Sequence, residues 1–297
     1  MKEITILSGK GGAGKTSVAA ALASVVQNAV FCDNDVDAAD LHLIFNPEIK
    51  ESYTFESGKK AVINTKDCTN CGLCTDYCRF DAIHPNTAGQ LEVNHFQCEG
   101  CRLCERVCPA EAITTIENNN NYWYVSGTRF GTLVHAKMGP GEENSGKLVT
   151  EVRRKAKEIA TETKASFIIN DGPPGIGCSA IASVTGTNLV LLVIEPTLSG
   201  LHDAKRLVEL VQSFNIPLAA IINKYDLHEK ITREVENYLI ENHIPLVGKL
   251  PFAPDIVESM VVGKTIVEFA PEERISKEFH SIWEKFILST NYHESNV

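Results

Sequence analysis

The sequence lacks the long apolar run, the excess of basic side chains and the leader segment that mark membrane-spanning, nucleic-acid-binding and secreted proteins. In its 297 residues no apolar stretch approaches the length of about 18 residues that a membrane-spanning helix requires. The chain has 28 Lys+Arg against 38 Asp+Glu and a formal net charge of -10, which works against a surface that follows a phosphate backbone. Its start, MKEITILSGKGG, passes from a short apolar stretch to glycines and does not form a signal peptide. We therefore expect a cytoplasmic protein that does not bind nucleic acid or a membrane.

The composition is that of an ordinary globular protein, except for its cysteines. Hydrophobic residues make up 43% and charged residues 22%, which disfavours disorder and fibrous repeats, and the length allows two structural units. The chain has 10 cysteines, and most of them fall between positions 68 and 108 in C-x2-C spacing. Because the chain lacks an export signal, this spacing favours metal ligation over disulfides.

The distribution of apolar segments predicts an α/β fold. Short apolar strands are predicted at residues 4–7, 29–32, 167–169, 189–194, 218–222 and 246–250. Helices are predicted between them at residues 16–27, 147–163, 204–213 and 229–242, and a hairpin at 123–136. Strands this apolar, separated by helices, indicate a mostly parallel sheet that is covered on both faces. The cysteine-rich stretch interrupts this pattern after the second strand.

A phosphate-binding loop is indicated by residues 9–16, GKGGAGKT, which match G-x4-G-K-[ST]. The pattern lies directly after a predicted strand and directly before a predicted helix, which is the context that a P-loop requires. Its glycines let main-chain N–H groups face a phosphate, Lys15 supplies a positive charge, and Thr16 is placed to bind Mg²⁺. The candidate nucleotide-binding residues are therefore Gly9, Lys10, Gly11, Gly12, Ala13, Gly14, Lys15, Thr16 and Ser17.

Carboxylates follow two of the predicted strands. Asp33, Asp35 and Asp37 come at the end of the second strand, and Asp171 begins the segment DGPPG that follows strand 167–169. Carboxylates at such strand ends can orient a water molecule and hold Mg²⁺ beside a bound phosphate.

Together these motifs resemble the MinD/Mrp/nitrogenase-iron-protein superfamily of P-loop ATPases, whose deviant, SIMIBI-type Walker A motif carries the early lysine seen here as Lys10. The resemblance implies a sandwich dimer in which this lysine reaches the partner's phosphates. It also implies that Asp35 positions the attacking water in switch I, with Asp33 and Asp37 as its neighbours. In switch II, Asp171 would contact Mg²⁺ through water, and the turn that ends at Gly175 would follow the γ-phosphate. The expected catalytic residues are Lys10, Lys15, Asp35 and Asp171, in a homodimer or a heterodimer with a paralogue.

The nucleotide base is expected to meet the motif NKYD at residues 223–226, which ends a predicted strand. An amide beside a carboxylate can bind a purine edge, which makes Asn223 and Asp226 candidates. The motif is a guanine signature in GTPases, whereas MinD relatives use the Asn for adenine together with a loop such as residues 250–254, which contains Pro251. The resemblance favours ATP, and the motif itself leaves GTP open.

Two iron-sulfur clusters are indicated by the run C-x2-C-x2-C-x3-C, which begins at Cys68 and again at Cys98. The flanking residues repeat as well, since CRFDAI at 78–83 is echoed by CPAEAI at 108–113. The run is typical of bacterial two-cluster ferredoxins, in which the fourth cysteine binds the other cluster. This pattern assigns Cys68, Cys71, Cys74 and Cys108 to one [4Fe-4S] cluster, and Cys98, Cys101, Cys104 and Cys78 to the second.

Structural zinc is the competing interpretation of the cysteines, and the repeated four-cysteine run fits it less well. The first repeat has Arg79 where such runs usually have proline, a residue that shapes the turn and does not bind metal. We expect a P-loop ATPase domain formed by residues 1–60 and 117–297, interrupted by an α+β ferredoxin domain at 61–116.

Cys178 occupies a place where the nitrogenase iron protein carries a cysteine that holds a cluster at its dimer interface. That protein uses two cysteines per subunit, and Cys32 lies in an apolar strand, so a third cluster is a minority hypothesis. The apolar spacing from Ile275 to Ile287 predicts a final helix that packs on the core, with membrane attachment as the less favoured alternative.

Three hypotheses for the function remain open at this point. The leading one is an Mg²⁺-dependent ATPase whose nucleotide state gates electron transfer from two [4Fe-4S] clusters to a redox partner. The second is an assembly factor of the Mrp type that passes clusters or metal to a client protein. The third is a positioning protein in which ATP controls dimer formation and the clusters sense redox state.

Overall fold

The computed structural model describes residues 1–56, 58–139 and 146–294, with side chains described as far as 289. The chain divides into two compact units. The first comprises Met1–Ser52, Tyr124–Ala136 and Ser145–Val297, and the second comprises Tyr53–Trp123 and Lys137–Asn144. The expected insert, residues 61–116, lies inside the second unit, which extends farther at both ends.

The strands and helices alternate along most of the first unit. In chain order the strands are β1 (Lys2–Ser8), β2 (Ala29–Asp33), β3 (Glu48–Phe55), β4 (Lys59–Ile63), β5 (Ile83–Pro85), β6 (Leu91–Val93), β7 (Ile113–Glu117), β8 (Asn121–Thr128), β9 (Gly131–Lys137), β10 (Phe167–Pro174), β11 (Leu189–Ile194), β12 (Leu218–Asn223) and β13 (Leu246–Leu250). The helices are α1 (Lys15–Ala23), α2 (Leu41–Phe45), α3 (Leu73–Tyr77), α4 (Leu103–Val107), α5 (Lys147–Glu162), α6 (Cys178–Val184), α7 (Leu198–Ser213), α8 (Glu229–Glu241), α9 (Pro254–Val261), α10 (Ile266–Phe269) and α11 (Arg274–Glu294).

The central sheet has the strand order β13-β12-β11-β1-β10-β2-β9-β8-β3, and every pairing from β13 through β9 is parallel. The prediction of a mostly parallel α/β sheet is therefore confirmed. Alternate residues of its strands enter two different apolar clusters, one with α1 and α11 and the other with α7 and α8. Both faces of the sheet are covered by helices, which explains why the strand sequences read as nearly continuous apolar runs.

One predicted helix ends earlier than the sequence prediction. Helix α1 was expected to continue to Gln27 and instead ends at Ala23, because residues 24–28 turn the chain into β2 and Asn28 adopts a positive φ of 51°. The C-terminal apolar stripe behaves as expected, since Phe279, Ile282 and Phe286 of α11 are fully buried. Among the residues that the structure describes, no helix combines the length and apolar character needed to cross a bilayer.

The second unit is built from two copies of the same small motif. Strand β4 pairs antiparallel with β7, and β5 pairs antiparallel with β6, so each copy contributes one strand to each pair. The short helices α3 and α4 occupy equivalent positions, and the positive φ angles recur thirty residues apart. These matched positions are Asn70 and Gly100, Gly72 and Arg102, and Asp81 and Glu111. The internal repeat seen in the sequence is thus a repeat of backbone conformation.

Arg129 connects main-chain segments that are distant in sequence. Its guanidinium group donates to the carbonyl oxygens of Ile44, Phe45 and Gly263 at 2.9–3.0 Å and pairs with Glu268 at 2.6 Å.

We expect Arg129→Ala to lower the free energy of unfolding by about 2 kcal/mol, because these carbonyl groups lose a charged donor. Arg154, which is exposed and pairs along its own helix with Glu151 and Glu158, provides the control, and Arg154→Ala should leave the unfolding midpoint nearly unchanged. Equal midpoint shifts of the two variants in urea would contradict this assignment.

Candidate functional site

The P-loop connects β1 to α1 and is shaped by its glycines. Gly12 and Gly14 have φ angles of 79° and 93°, which side-chain-bearing residues rarely adopt, and Gly14 is the residue that precedes the first turn of α1. Gly9 is required for a different reason, since an added Cβ would stand 2.6 Å from the main chain of Asp203. The loop thereby directs N–H groups and the N-terminus of α1 toward the same space.

That space is a cavity of about 420 Å³ within the first unit. Nine of the sequence-predicted residues line it, namely Gly11, Gly12, Gly14, Lys15, Thr16, Ser17, Asp35, Asn223 and Pro251. Further lining residues that were not among the predicted site residues include Asp40, Lys224, Phe252, Ile256 and Val257. Asp40 is the last acid of the string that begins at Asp33, so the sequence carried a signal for it.

A charged cluster of one lysine and two carboxylates adjoins the cavity: Lys15 and Asp35 line the cavity, whereas Asp171 is buried beside them and does not line it. Lys15 Nζ lies 2.5 Å from Asp35 Oδ2 and 4.0 Å from Asp171 Oδ1. Burial by itself would lower the pKa of Lys15, but the charges of Asp171 and Asp35 outweigh it and the pKa is raised. Lys15 therefore remains protonated and is available to bind a phosphate.

Asp171 is buried in this cluster without a hydrogen-bonding partner. Its side chain is 1% exposed, and neither carboxylate oxygen has a hydrogen-bond partner among the described residues. Burial raises the pKa of Asp171 to about 6, against the opposing charge of Lys15. An unpartnered buried carboxylate near the hydroxyl-bearing Thr16 fits Mg²⁺, which binds proteins through one or two oxygen ligands and completes its shell with water and phosphate.

Asp33 and Asp37 differ from Asp35 in their surroundings. Asp33 is fully buried, and its two oxygens accept hydrogen bonds from the main-chain N–H groups of Asp35 and Leu41 at 3.2 and 3.1 Å. Burial and the nearby charge of Asp171 raise the pKa of Asp33 well above its usual range. Asp33 thus shapes the loop that presents Asp35, while Asp37 is exposed and does not line the cavity.

Lys10 is held by a residue that the sequence reasoning missed. Its Nζ lies 2.9 Å from Glu195 Oε2 and 3.1 Å from Thr197 Oγ1, and Glu195 also pairs with Lys224 at 3.1 Å. Although partial burial opposes it, hydrogen bonding to the two lysines lowers the pKa of Glu195, which stays ionised. No local pattern marks Glu195, because it meets Lys10 only through the neighbouring ends of β1 and β11.

Gly9, Ala13, Gly175 and Asp226 do not line the cavity. Ala13 and Gly175 act through their main chains, since Ala13 O accepts a hydrogen bond from Asn223 Nδ2 at 2.9 Å and Gly175 N donates to Ser8 O at 3.0 Å. Asp226 accepts a hydrogen bond from Phe252 N. The structure therefore gives these four residues supporting positions, with Asp226 at the loop of residues 250–254 and the other three at or beside the P-loop.

Five of the eight cysteines of the second unit belong to its apolar cluster or pack against it, whereas Cys71 and Cys101 are exposed. The apolar cluster of this unit contains Cys74, Cys98 and Cys104, with Cys78 and Cys108 packed against it. Main-chain N–H groups point at four of the sulfur atoms at 3.3–3.5 Å, from Ala61 to Cys98, Asn70 to Cys68, Ala82 to Cys78 and Ala112 to Cys108. Donors of this kind stabilise sulfur-bound negative charge, as around an iron-sulfur cluster.

Four of the thiols converge on one cavity. Cys78, Cys98, Cys101 and Cys104, the set predicted to share the second cluster, all line it. Burial raises the pKa of Cys104 to about 11, and Cys98 and Cys101 are near enough to add to the rise. In the first set, burial likewise raises the pKa of Cys74, with a contribution from Cys68. Within the described ranges no three His, Cys, Asp or Glu side chains are arranged to hold a single metal ion.

The remaining cysteines lie in the first unit. Cys32 is buried inside β2 with its Sγ 3.0 Å from Asn34 Oδ1, and Cys178 is exposed as the first residue of α6. The hypothesis of an interface cluster at Cys178 receives no second ligand from Cys32.

The fold is a mostly parallel sheet with a P-loop at the carboxyl end of β1, next to the cluster of Lys15, Asp35 and Asp171. These features define a P-loop nucleotide-binding protein. The chain belongs to the CobQ/CobB/MinD/ParA nucleotide-binding domain family, whose model matches residues 4–266. The chain is therefore a nucleotide-binding ATPase of the MinD/ParA type.

Relatives and solved structures agree with this assignment. The chain is 32% identical over 287 residues to an uncharacterised protein of Methanocaldococcus jannaschii, covering 95% of each sequence. It is 26% identical over 130 residues to the iron-sulfur cluster carrier protein of Aquifex aeolicus, covering 39% of this chain and 35% of that protein. The structure of the septum site-determining protein MinD of Pyrococcus horikoshii with Mg-ADP has a similar fold, with a TM-score of 0.57, 20% identity, and coverage of 96% of this chain and 95% of that one.

Proposed function

We propose that the protein is an Mg²⁺-dependent ATPase coupled to two [4Fe-4S] clusters, and that its nucleotide state gates electron transfer to a partner protein. The observation that carries the proposal is the presence, in one chain, of a P-loop cavity beside the buried carboxylate of Asp171 and of a repeated cysteine unit whose sulfurs face main-chain donors.

The chemistry of the cavity supports hydrolysis as well as binding. The P-loop N–H groups and Lys15 would bind the phosphates, and Lys10, which is paired with Glu195, is the residue that would reach the partner's phosphates in a sandwich dimer. Thr16 and Asp171 are the residues that would hold Mg²⁺, which would supply positive charge to offset the charge that develops on the phosphates. A phosphate that binds Lys15 Nζ would break the ion pair between Lys15 and Asp35. The carboxylate of Asp35, the residue proposed to orient the attacking water, would then be available. Substrate binding and catalysis are thereby linked through one ion pair.

The cysteine unit supports resident electron-transfer clusters. Two of the sulfur-directed hydrogen bonds fall within each proposed ligand set, on Cys68 and Cys108 in the first and on Cys98 and Cys78 in the second. When bound, such clusters accept and donate single electrons, at potentials that the hydrogen bonds to sulfur help to set. The chain's own contribution is to supply eight thiols and to fix the direction of these donors.

The proposal is tested by a reductive titration followed by EPR in the absence of oxygen, with and without a non-hydrolysable MgATP analogue. We expect the analogue to shift the midpoint potential of at least one cluster by about 60 mV, a tenfold change in a one-electron equilibrium. The Lys15→Ala variant keeps the cysteine unit and loses a phosphate ligand, so its potentials should not respond to the analogue. Identical potentials with and without the analogue in the wild-type protein would contradict gating.

A second candidate function is favoured by the partial similarity to an iron-sulfur cluster carrier protein. In that role ATP would drive transfer of clusters to a client. Transfer requires labile clusters, so loss of iron to an apo-ferredoxin during ATP turnover would support the carrier, and full retention of iron would support the resident electron carrier.

A further inference from the structure

A groove follows the edge of the central sheet at β13. Within the described ranges β13 pairs with one strand, β12, so the outer side of its main chain has no strand beside it. A groove of about 540 Å³ lies between this strand and α11, and four consecutive residues, Leu246–Lys249, line it. Because side chains alternate between the two faces of a strand, a groove on one face would meet only every second residue. A groove that meets four residues in succession follows the main-chain edge.

Helix α11 forms the other wall of the groove and presents charged side chains to it. The apolar stripe of this helix is buried against the core of the first unit. Arg274, Glu278 and Lys285 line the groove instead. Their spacing of four and seven residues places them on one side of the helix, next to the apolar stripe. The same helix therefore packs on the core and borders the sheet edge.

The groove is positively charged, in contrast to the chain as a whole, whose formal net charge is -10. Among the described residues that line it, three side chains are basic, Lys249, Arg274 and Lys285, and one, Glu278, is acidic. Lys249 pairs with Glu236 at 2.9 Å, whereas Arg274 and Lys285 are exposed. A lysine on an edge strand can serve to prevent aggregation, but here two further cations come from the opposite wall. The charge of the groove is therefore complementary to an acidic ligand.

The main-chain edge determines which kind of acidic ligand fits. The edge of a strand offers N–H donors and C=O acceptors in a row, and an extended peptide can pair with both by adding as a further strand. The phosphate backbone of a nucleic acid carries acceptors and would leave the carbonyl oxygens of β13 without donors. The combination of a strand edge with cations thus favours a peptide.

We propose that the groove formed by Leu246–Lys249, Arg274 and Lys285 binds an extended acidic segment of a partner protein as an added strand beside β13. Among the described residues, Pro251 alone lines both this groove and the nucleotide cavity, so the two sites are distinct neighbours. The inference goes beyond the proposed function, because it requires neither a bound nucleotide nor the clusters.

The experiment measures the fluorescence anisotropy of labelled ten-residue peptides with the full chain, purified without oxygen, at low salt. The acidic probe alternates threonine and glutamate, which combines strand propensity with a negative charge at every second residue. A basic probe has lysine in place of glutamate. A third probe is the acidic peptide N-methylated at every residue, which keeps the charge and removes the main-chain donors. We expect the acidic probe to bind about tenfold more tightly than either of the others.

The double variant Arg274→Ala with Lys285→Ala removes the two exposed cations of the groove. We expect it to bind the acidic probe about tenfold more weakly and to keep the wild-type melting temperature, because both side chains are exposed. The matched control is Arg206→Ala with Lys230→Ala. It removes the same two residue types from exposed positions on α7 and α8 outside the groove, and its affinity should stay within about twofold of the wild type.

Hydrogen exchange of the main-chain amides of Leu246–Leu250 provides a direct readout of strand addition. A peptide that pairs with the edge protects the N–H groups that face it, so exchange in this segment should slow about tenfold at saturating acidic probe. A ligand held by side-chain charge alone would leave this exchange unchanged.

Equal affinity for the acidic probe and its N-methylated form, unchanged exchange in β13, or no binding of the acidic probe at about 1 mM would overturn the assignment. An oligothymidylate of ten nucleotides that binds more tightly than the acidic probe, and is weakened by the same double variant, would also overturn it and identify a nucleic-acid surface. Failure to bind nucleotide or to retain iron would instead contradict the proposed function and would not affect this assignment.

Discussion

The substitution Asp171→Asn should lower the rate of Mg²⁺-dependent ATP hydrolysis by about 100-fold and, at the same time, raise the melting temperature of the nucleotide-free protein. Hydrolysis falls because an amide does not replace the carboxylate that would hold Mg²⁺ through water. Stability rises because the carboxylate is buried without a hydrogen-bond partner, whereas an amide of the same shape carries no charge to desolvate. Steady-state phosphate release and thermal unfolding of the same preparations measure both effects.

The pH dependence follows from the pKa of Asp171, which burial raises to about 6 from its ordinary value of 3.8. A carboxyl group whose pKa is raised by folding destabilises the folded state once it ionises. The stability advantage of Asp171→Asn should therefore be absent below about pH 4, grow as the pH rises to about 6, and stay constant above that. Stabilisation of the wild type by Mg²⁺ should weaken as the pH falls through 6, because the protonated carboxyl group does not bind the ion.

The exposed carboxylate of Glu234 provides the control for both measurements, since Glu234→Gln should leave hydrolysis and the melting profile unchanged. Wild-type hydrolysis in Asp171→Asn would remove Asp171 from the Mg²⁺ site. A melting temperature that falls at neutral pH would show that the ionised carboxylate stabilises the fold.

The iron content of cysteine variants should show that the fourth cysteine of each repeat binds the cluster of the other repeat. The intact protein should contain about eight irons per chain, and Cys78→Ser should leave about four. Adding Cys98→Ser should leave the count near four, because both thiols belong to the same proposed set. Adding Cys68→Ser to Cys78→Ser should instead remove nearly all the iron. Anaerobic iron and sulfide analysis, with EPR of the reduced protein, measures the result.

If each four-cysteine run instead holds its own cluster, the results are reversed: Cys78→Ser with Cys98→Ser removes nearly all the iron, and Cys78→Ser with Cys68→Ser leaves about four irons. The assignment is therefore decided by which double variant loses both clusters. Cys178→Ser is the control, because Cys178 is exposed and lies outside both sets. About ten irons per chain, with two lost in Cys178→Ser, would instead support the interface cluster. Stoichiometric zinc without iron would overturn the ferredoxin interpretation altogether.

The sequence indicated the features that depend on local pattern. The P-loop is contiguous, the parallel strands are apolar runs, and the thirty-residue repeat of the cysteines predicted a matching repeat of backbone conformation. Contacts between distant segments were not predictable in this way. Glu195 lies 185 positions from Lys10, and no motif states that the ends of β1 and β11 place them within 2.9 Å.

The motif at 223–226 shows a second limit of sequence reasoning. Its residue types suit a purine edge, and only the main-chain position of Phe252 reveals that Asp226 is already engaged. A motif specifies which groups are available, while tertiary packing determines which of them face the ligand. For the same reason, the sequence did not show that the carboxylate of Asp171 is buried beside Lys15 with little hydrogen bonding to offset its desolvation.

The antiparallel pairing of β4 with β7 has a topological consequence. Lys59 and Glu117 are direct partners across this pair, so the chain enters and leaves the cysteine-bearing segment at neighbouring positions. Joining ends that are already adjacent costs little closure entropy. The segment could therefore be deleted and replaced by a short linker, or circularly permuted with new termini in the loop between β5 and β6. It could also be inserted into another protein with little change in the backbone of that protein.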